Sequence, residues 1–174
     1  MSIPQRLKAI VLTVIVVVAI NACSKPLIAD AMGNLTIRSS VTYLYLLRHT
    51  PFFTSLKKEE LRWVIKHSKE WSVEQGGVVA TNSSAPDYWI LLDGAWQLEC
   101  GDKRYPSKND DAGKWFSSEV ISEICKLVVT ESSYVMQIPQ TDMNDMIQKG
   151  FNFQEHLEAG LSYYEKMFLT ANKR

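Results

Sequence analysis

Histidine is scarce in this chain, with only His49, His67 and His156 among 174 residues. All three fall in segments with helical patterning, no two stand at metal-ligand spacing, and no strand-like segment carries one. This excludes a clustered-histidine metal site, so no resident metal or cofactor is expected. A charge excess of either sign is also missing: 19 basic residues face 19 acidic ones. The chain therefore lacks the electrostatic footprint of a nucleic-acid binder or of a polybasic membrane surface. Three cysteines are too few for a disulfide framework. No Gly-x-Ser-x-Gly elbow, phosphate loop, internal repeat or low-complexity tract occurs. Arginine is missing from the whole stretch between Arg104 and Arg174. The expectation from these absences is a protein that binds and does not catalyse.

The N-terminus is distinctive. Arg6 and Lys8 precede an apolar run from Ala9 to Ile20, interrupted only by Thr13. The run is well short of the roughly 20 residues that span a bilayer, so it reads as a secretory signal. Ile20-Asn21-Ala22-Cys23 resembles the lipobox of bacterial lipoproteins, in which the cysteine receives lipid and becomes the new N-terminus. The resemblance implies a signal peptide over 1–22, lipidation of Cys23 and an envelope protein facing the periplasm. Ser24 follows where an aspartate usually signals inner-membrane retention, which favours the outer membrane. An uncleaved anchor is the alternative, and it leaves the domain on the same side. Cleavage removes two basic residues and leaves the mature chain near neutral, so lipid does the anchoring that charge does not.

The rest divides into a tether, 23–40, without sustained period, and one domain, 41–174. A helical piece at 41–49 is broken by Pro51-Phe52-Phe53. A second helix places Leu61, Val64, Ile65 and Ser68 on one face. From Trp71 the pattern becomes short β-rich runs at 71–74, 78–80, 87–92, 95–100, 103–105, 126–130 and 134–138. Asp93-Gly94 reads as a two-residue hairpin turn, and 106–114 as a polar loop. Thr141 is placed to cap a short helix that Gly150 ends. A last helix carries the stripe Phe153, Leu157, Leu161, Tyr164 and Phe168, which must bury against the sheet or a second copy of the chain. Cys100 alternates with Trp96 and Leu98 on an apolar strand face. It pairs with Cys125 or stays a buried thiol; the spacing fits both. Helices, then strands, then helices make an α+β domain around a small antiparallel roll or jelly roll.

These residues resemble the cyclic nucleotide-binding domain. The segment 51–65 is similar to that family's helical lead-in, 87–96 to its central strand-turn-strand, and 141–151 to its hinge helix. Gly113 to Glu119 falls where the family's ligand cassette begins. In the family, a glycine-led turn presents backbone N–H groups to the phosphate, a glutamate accepts from the ribose 2′-hydroxyl and an arginine neutralises the phosphate. Glu119 stands for the glutamate here, but Ser118 replaces the glycine and no arginine follows. Lys126 is the nearest cation after Glu119, and lysine lacks the bidentate fork. Glu119 and Glu123 alone would repel an anion. The resemblance thus implies the fold with a lost cassette.

The remaining function classes are a protein-binding accessory or immunity-type factor of the envelope, and a small-ligand sensor using a remodelled pocket around Trp115, Phe116, Glu119 and Lys126. A transcription regulator is disfavoured, because no DNA-binding helix pair follows the last helix. The tryptophans Trp63, Trp71, Trp89, Trp96 and Trp115 are expected mostly in the core, with at least one at an old cavity or a partner surface. Labelled palmitate is expected to enter the wild type and not Cys23→Ser; equal labelling of both would remove the lipoprotein reading.

Overall fold

The local signals of the helical lead-in act as the sequence suggests. Helix α1, Val41–His49, ends at Thr50, whose hydroxyl donates to the Leu46 carbonyl at 3.0 Å. Proline then starts the 3-10 turn Pro51–Phe53, which buries Phe52 and Phe53 completely. Helix α2, Lys58–Lys66, begins where the Glu60 carboxylate accepts from the Lys57 N–H at 2.6 Å, and it buries Leu61 and Val64. It ends before Ser68, and Ile65 is only half-buried. These assignments come from a computed structural model that describes residues 41–121 and 124–171. The expected signal peptide, Cys23, the tether and Glu123 lie outside the described residues. No described helix is long and apolar enough to cross a membrane.

Eight strands follow: β1 Lys69–Val73, β2 Val78–Thr81, β3 Tyr88–Asp93, β4 Ala95–Cys100, β5 Lys103–Lys108, β6 Trp115–Phe116, β7 Cys125–Val129 and β8 Ser133–Ile138. They form two antiparallel four-stranded sheets, ordered β1-β8-β3-β6 and β2-β7-β4-β5. Helix α3, Gln140–Gln148, and the long helix α4, Gln154–Ala171, complete the chain. The architecture is α+β, an antiparallel β-roll with helices on both ends of the sequence.

Strand composition follows from the layers. The first sheet is covered on both faces, so β3 buries four successive residues, Trp89 to Leu92. Trp89 and Leu91 face the roll interior with Phe116 and Val135, whereas Ile90 and Leu92 meet the helices with Met136, Ile138, Phe52 and Met143. The second sheet has one wet face, and β4 accordingly alternates, with Trp96, Leu98 and Cys100 inside.

Four expectations are corrected. Asp93-Gly94 does not make a hairpin, because β3 and β4 belong to different sheets and never pair. Gly94 (φ +91°) instead turns the chain from one sheet to the other, so close to Ser133 that a Cβ would overlap its side chain. The true two-residue hairpin is Gly101-Asp102, which joins Cys100 to its partner Lys103. The 106–114 loop is shorter than expected, since β5 continues through Pro106. Proline is tolerated there because β5 is an edge strand. Thr141 lies inside α3 rather than capping it; the N-cap is Pro139 and it has no side-chain cap.

The fourth correction concerns α4. Its buried positions are Phe153 just ahead of it, then Gly160, Tyr164 and Met167, while Leu161 is 44% exposed. Leu157 and Phe168 are half-buried at the margins. The helix does bury against the roll, but the contact at its centre is a glycine, which a search for apolar residues passes over.

Cys100 and Cys125 lie directly opposite in the β4–β7 register and form a disulfide, with Cα atoms 4.3 Å apart. The bridge closes a loop over a sequence separation of 25 residues. The double variant Cys100→Ser, Cys125→Ser is expected to lose about 2–4 kcal/mol of stability, a fall of roughly 5–15 °C in Tm. Reductant should reproduce that fall in a wild-type melt and leave the variant's melt unchanged.

Candidate functional site

The stretch Gly113 to Ile121 joins β5 to β7 and runs from the helical layer to the mouth of the roll. Gly113 is buried where a Cβ would meet Ser107 and Tyr163, and its carbonyl accepts from the Trp96 indole N–H at 2.9 Å. The Lys114 carbonyl accepts from the Leu91 N–H. Strand β6 then pairs with β3, Trp115 opposite Ile90 and Phe116 opposite Trp89.

The strand period sends these two side chains to opposite faces. Phe116 fills the roll interior. Trp115 lies among the helices, stacked on Tyr88 at 5.6 Å and edge-to-face with Tyr164 at 6.0 Å. Its indole N–H donates to the His156 carbonyl at 2.9 Å, and its own carbonyl accepts from the Tyr164 hydroxyl at 2.6 Å. Gly160 of α4 sits so close to the ring that any Cβ there would overlap the indole nitrogen. Every polar group of Trp115 that faces the helix is thus satisfied by α4.

Beyond β6, Ser117 is buried and donates to the Pro86 carbonyl at 3.2 Å, while Ser118 donates to the Ser84 carbonyl at 3.1 Å. These hydroxyls tie a single 3-10 turn, Ser118–Val120, to the β2–β3 loop. Glu119 projects to solvent from that turn; burial first and this carboxylate second push the Tyr88 phenol above its usual range. Lys126 stands on the outer face of the second sheet, its ammonium 3.0 Å from Glu99, with Arg104 at 3.7 Å on the same carboxylate. The hydrogen bond from Lys126, then that from Gln97, holds the Glu99 carboxyl below the usual carboxylate range.

The four candidate residues therefore do not converge. Trp115 and Phe116 are neighbours in sequence with opposite destinations, Glu119 is at the surface, and Lys126 is on the far side of the other sheet. Ser117, Ser118, Gly160 and Tyr164 organise this region. The sequence marks Ser118 only as the replacement of a turn glycine and Tyr164 only through the helix stripe, and it carries no signal for Ser117 or Gly160.

The roll interior between the sheets is occupied by aromatic rings. Trp71 and Trp89 lie 5.2 Å apart, with Trp96, Phe116 and Tyr164 in the same cluster. The indole N–H groups of Trp71 and Trp89 are buried without a hydrogen-bond partner. Nearby on the helical side, burial pushes the Lys114 amine down, against the opposing pull of Asp110, Asp111 and Glu155. Burial, and then the Lys114 charge, push the His156 imidazole down. Among the described residues, no group of three or more metal-ligating side chains is found.

No protein-family model matches this chain. No curated protein sequence does either. Solved structures do. The chain is similar to cAMP-bound PfPKA-R with a TM-score of 0.60 at 15% identity, covering 75% of this chain and 46% of that one. It therefore spans about half the length of that structure. A CooA mutant from Carboxydothermus hydrogenoformans gives 0.54 at 15% identity, over 72% of this chain and 84% of that one. The sensor domain of the transcriptional regulator DNR from Pseudomonas aeruginosa gives 0.52 at 15% identity, over 69% and 91%. At such identities the likeness defines a fold. This chain has the cyclic nucleotide-binding-like β-roll with flanking helices.

Gly160→Ala tests the contact between α4 and β6. In an unobstructed helix this exchange gains about 1 kcal/mol. Against the Trp115 ring it is expected to cost about 1–3 kcal/mol instead, lowering Tm. A raised Tm would show that α4 does not rest on Trp115.

Proposed function

We propose that this chain is a lipid-anchored envelope protein whose β-roll has given up cyclic-nucleotide binding and acts, without catalysis, by binding a protein partner as an accessory or immunity-type factor. The observation that carries this reading is the use made of the cassette segment. Trp115 takes both its hydrogen-bonding partners from α4, and Phe116 fills the interior, so the stretch that would cradle a phosphate is committed to the protein's own packing. The arginine is missing as well: Lys126 is engaged by Glu99 on the wrong face, Lys114 is buried on the helical side with Asp110, Asp111 and Glu155 around it, and no arginine follows Arg104 before Arg174. A phosphate there would have no guanidinium fork to meet it. The Cys100–Cys125 bridge fits an oxidising compartment, which agrees with export through the N-terminal signal and anchoring at Cys23.

A second reading, a small-ligand sensor, is favoured by one observation. Two buried indole donors, on Trp71 and Trp89, lack acceptors inside the roll. Such groups cost about 1–3 kcal/mol each when unpaired, and a small molecule with an acceptor oxygen would relieve them.

Calorimetric titration of cyclic AMP and cyclic GMP into the full chain in mild detergent separates the preferred reading from a nucleotide sensor. No saturable binding is expected up to about 1 mM nucleotide, equivalent to roughly 4 kcal/mol. Saturable micromolar binding that Glu119→Ala abolishes would overturn the proposal.

A further inference from the structure

The turn between α3 and α4 forms a cleft of about 320 Å3, lined by residues other than those of the cassette segment. Its apolar surface comes from Ile147 at the end of α3, Phe151 in the turn and Leu157 in the first turns of α4. Ile147 is 44% exposed. Leu161, equally exposed, continues the strip one helical turn further along α4. The walls are held firmly. Phe151 donates its N–H to the Met146 carbonyl at 3.0 Å, and Met146 and Phe153 on either side are fully buried. Trp63 of α2 packs edge-to-face against Phe151 at 5.8 Å and stacks on His67. A preformed apolar cleft beside a half-exposed tryptophan is the usual setting of a binding hot spot.

The charge around the cleft specifies the occupant further. Residues 140–166 carry five carboxylates, Asp142, Asp145, Glu155, Glu158 and Glu165, against two lysines, Lys149 and Lys166. Lys149 is already engaged, 3.6 Å from Asp145 and 4.6 Å above the Trp63 ring. Glu158 lines the cleft itself, its carboxylate oriented by the Gln154 amide at 2.8 Å. Helix α2, on the Trp63 side, is basic, with Arg62 and Lys66, so the acidic character belongs to α3 and α4 alone. An exposed carboxylate at the lip of an apolar cleft between two acidic helices complements a basic group next to a bulky apolar one.

We propose that this cleft is the docking site of the protein partner, which inserts a large apolar side chain flanked by lysine or arginine, the cation meeting Glu158. The proposal rests on the partner-binding reading above. It adds where the contact lies and what chemistry it selects.

The test uses the full chain in detergent micelles and a random linear-peptide library displayed on phage. Enriched peptides are expected to share a bulky apolar residue next to lysine or arginine. Their affinity should fall about tenfold or more on Ile147→Lys and on Glu158→Lys, as for a truncated hot spot. It should be unchanged on Glu131→Lys, a control in the β7–β8 turn. All three positions are exposed, so the variants are expected to fold, and matched melting curves check this. Peptides that bind the two cleft variants as tightly as the wild type would overturn the cleft while leaving the partner reading intact. Self-association of the wild type, abolished by Ile147→Lys, would overturn it in favour of a second copy of the chain. An empty selection would also overturn it; joined to saturable nucleotide binding, it would remove the partner reading too.

Discussion

Trp115 is the residue on which both halves of the domain depend. Strand β6 is only two residues long, too short to hold its place by ladder hydrogen bonds alone. What fixes it is the seating of Trp115 against α4: Gly160 leaves room for the ring, the His156 carbonyl takes its N–H, and the Tyr164 hydroxyl reaches its carbonyl. With Trp115 held outward, strand alternation turns Phe116 inward onto Trp89, and the interior cluster closes. One contact therefore joins the long helix, the edge of the first sheet and the core of the roll.

The same contact explains why the sequence was readable in part. The lead-in helices, the break at Pro51 and the strands other than β6 follow from local signals that tertiary structure leaves alone; β6, two residues long, carries no strand pattern of its own. The alternation in β4 and the continuous apolar run in β3 even reveal which sheet is covered on both faces. Three features were hidden for physical reasons. Asp93-Gly94 has hairpin chemistry, but the choice between a hairpin and a change of sheet depends on which strands β3 and β4 find, and Ser133 packed under Gly94 belongs to that long-range choice. Pro106 ends a strand in local terms and is harmless on an edge. The core position on α4 is Gly160 and not Leu161, because a pattern of large apolar residues does not register a site where the partner supplies the volume.

The candidate ligand residues show the limit most sharply. GKWFSSEV has the composition of a cassette, and the structure shows what each of its side chains does. Its aromatic pair serves two packed layers, its serines fasten the 84–86 loop, and Lys126 belongs to a surface network with Glu99, Arg104 and Gln97. Sequence position identified the segment; only the direction of each side chain decides what it does. The long C-terminal helix is seated by the chain's own tryptophan. The turn between α3 and α4 carries an open apolar cleft with Glu158 at its lip.

Helix α4 is docked on β6 by contacts of the chain itself. Hydrogen exchange of the ligand-free protein, read residue by residue by NMR, tests it most directly. The Trp115 indole N–H and the α4 amides around Gly160 and Tyr164 should exchange as slowly as the amides of β3 and β8, since all open in the same cooperative unit. Fast exchange of α4 and of the Trp115 indole, with β3 and β8 still protected, would contradict the account, because it would mean that the helix is not seated and that the cassette segment is open.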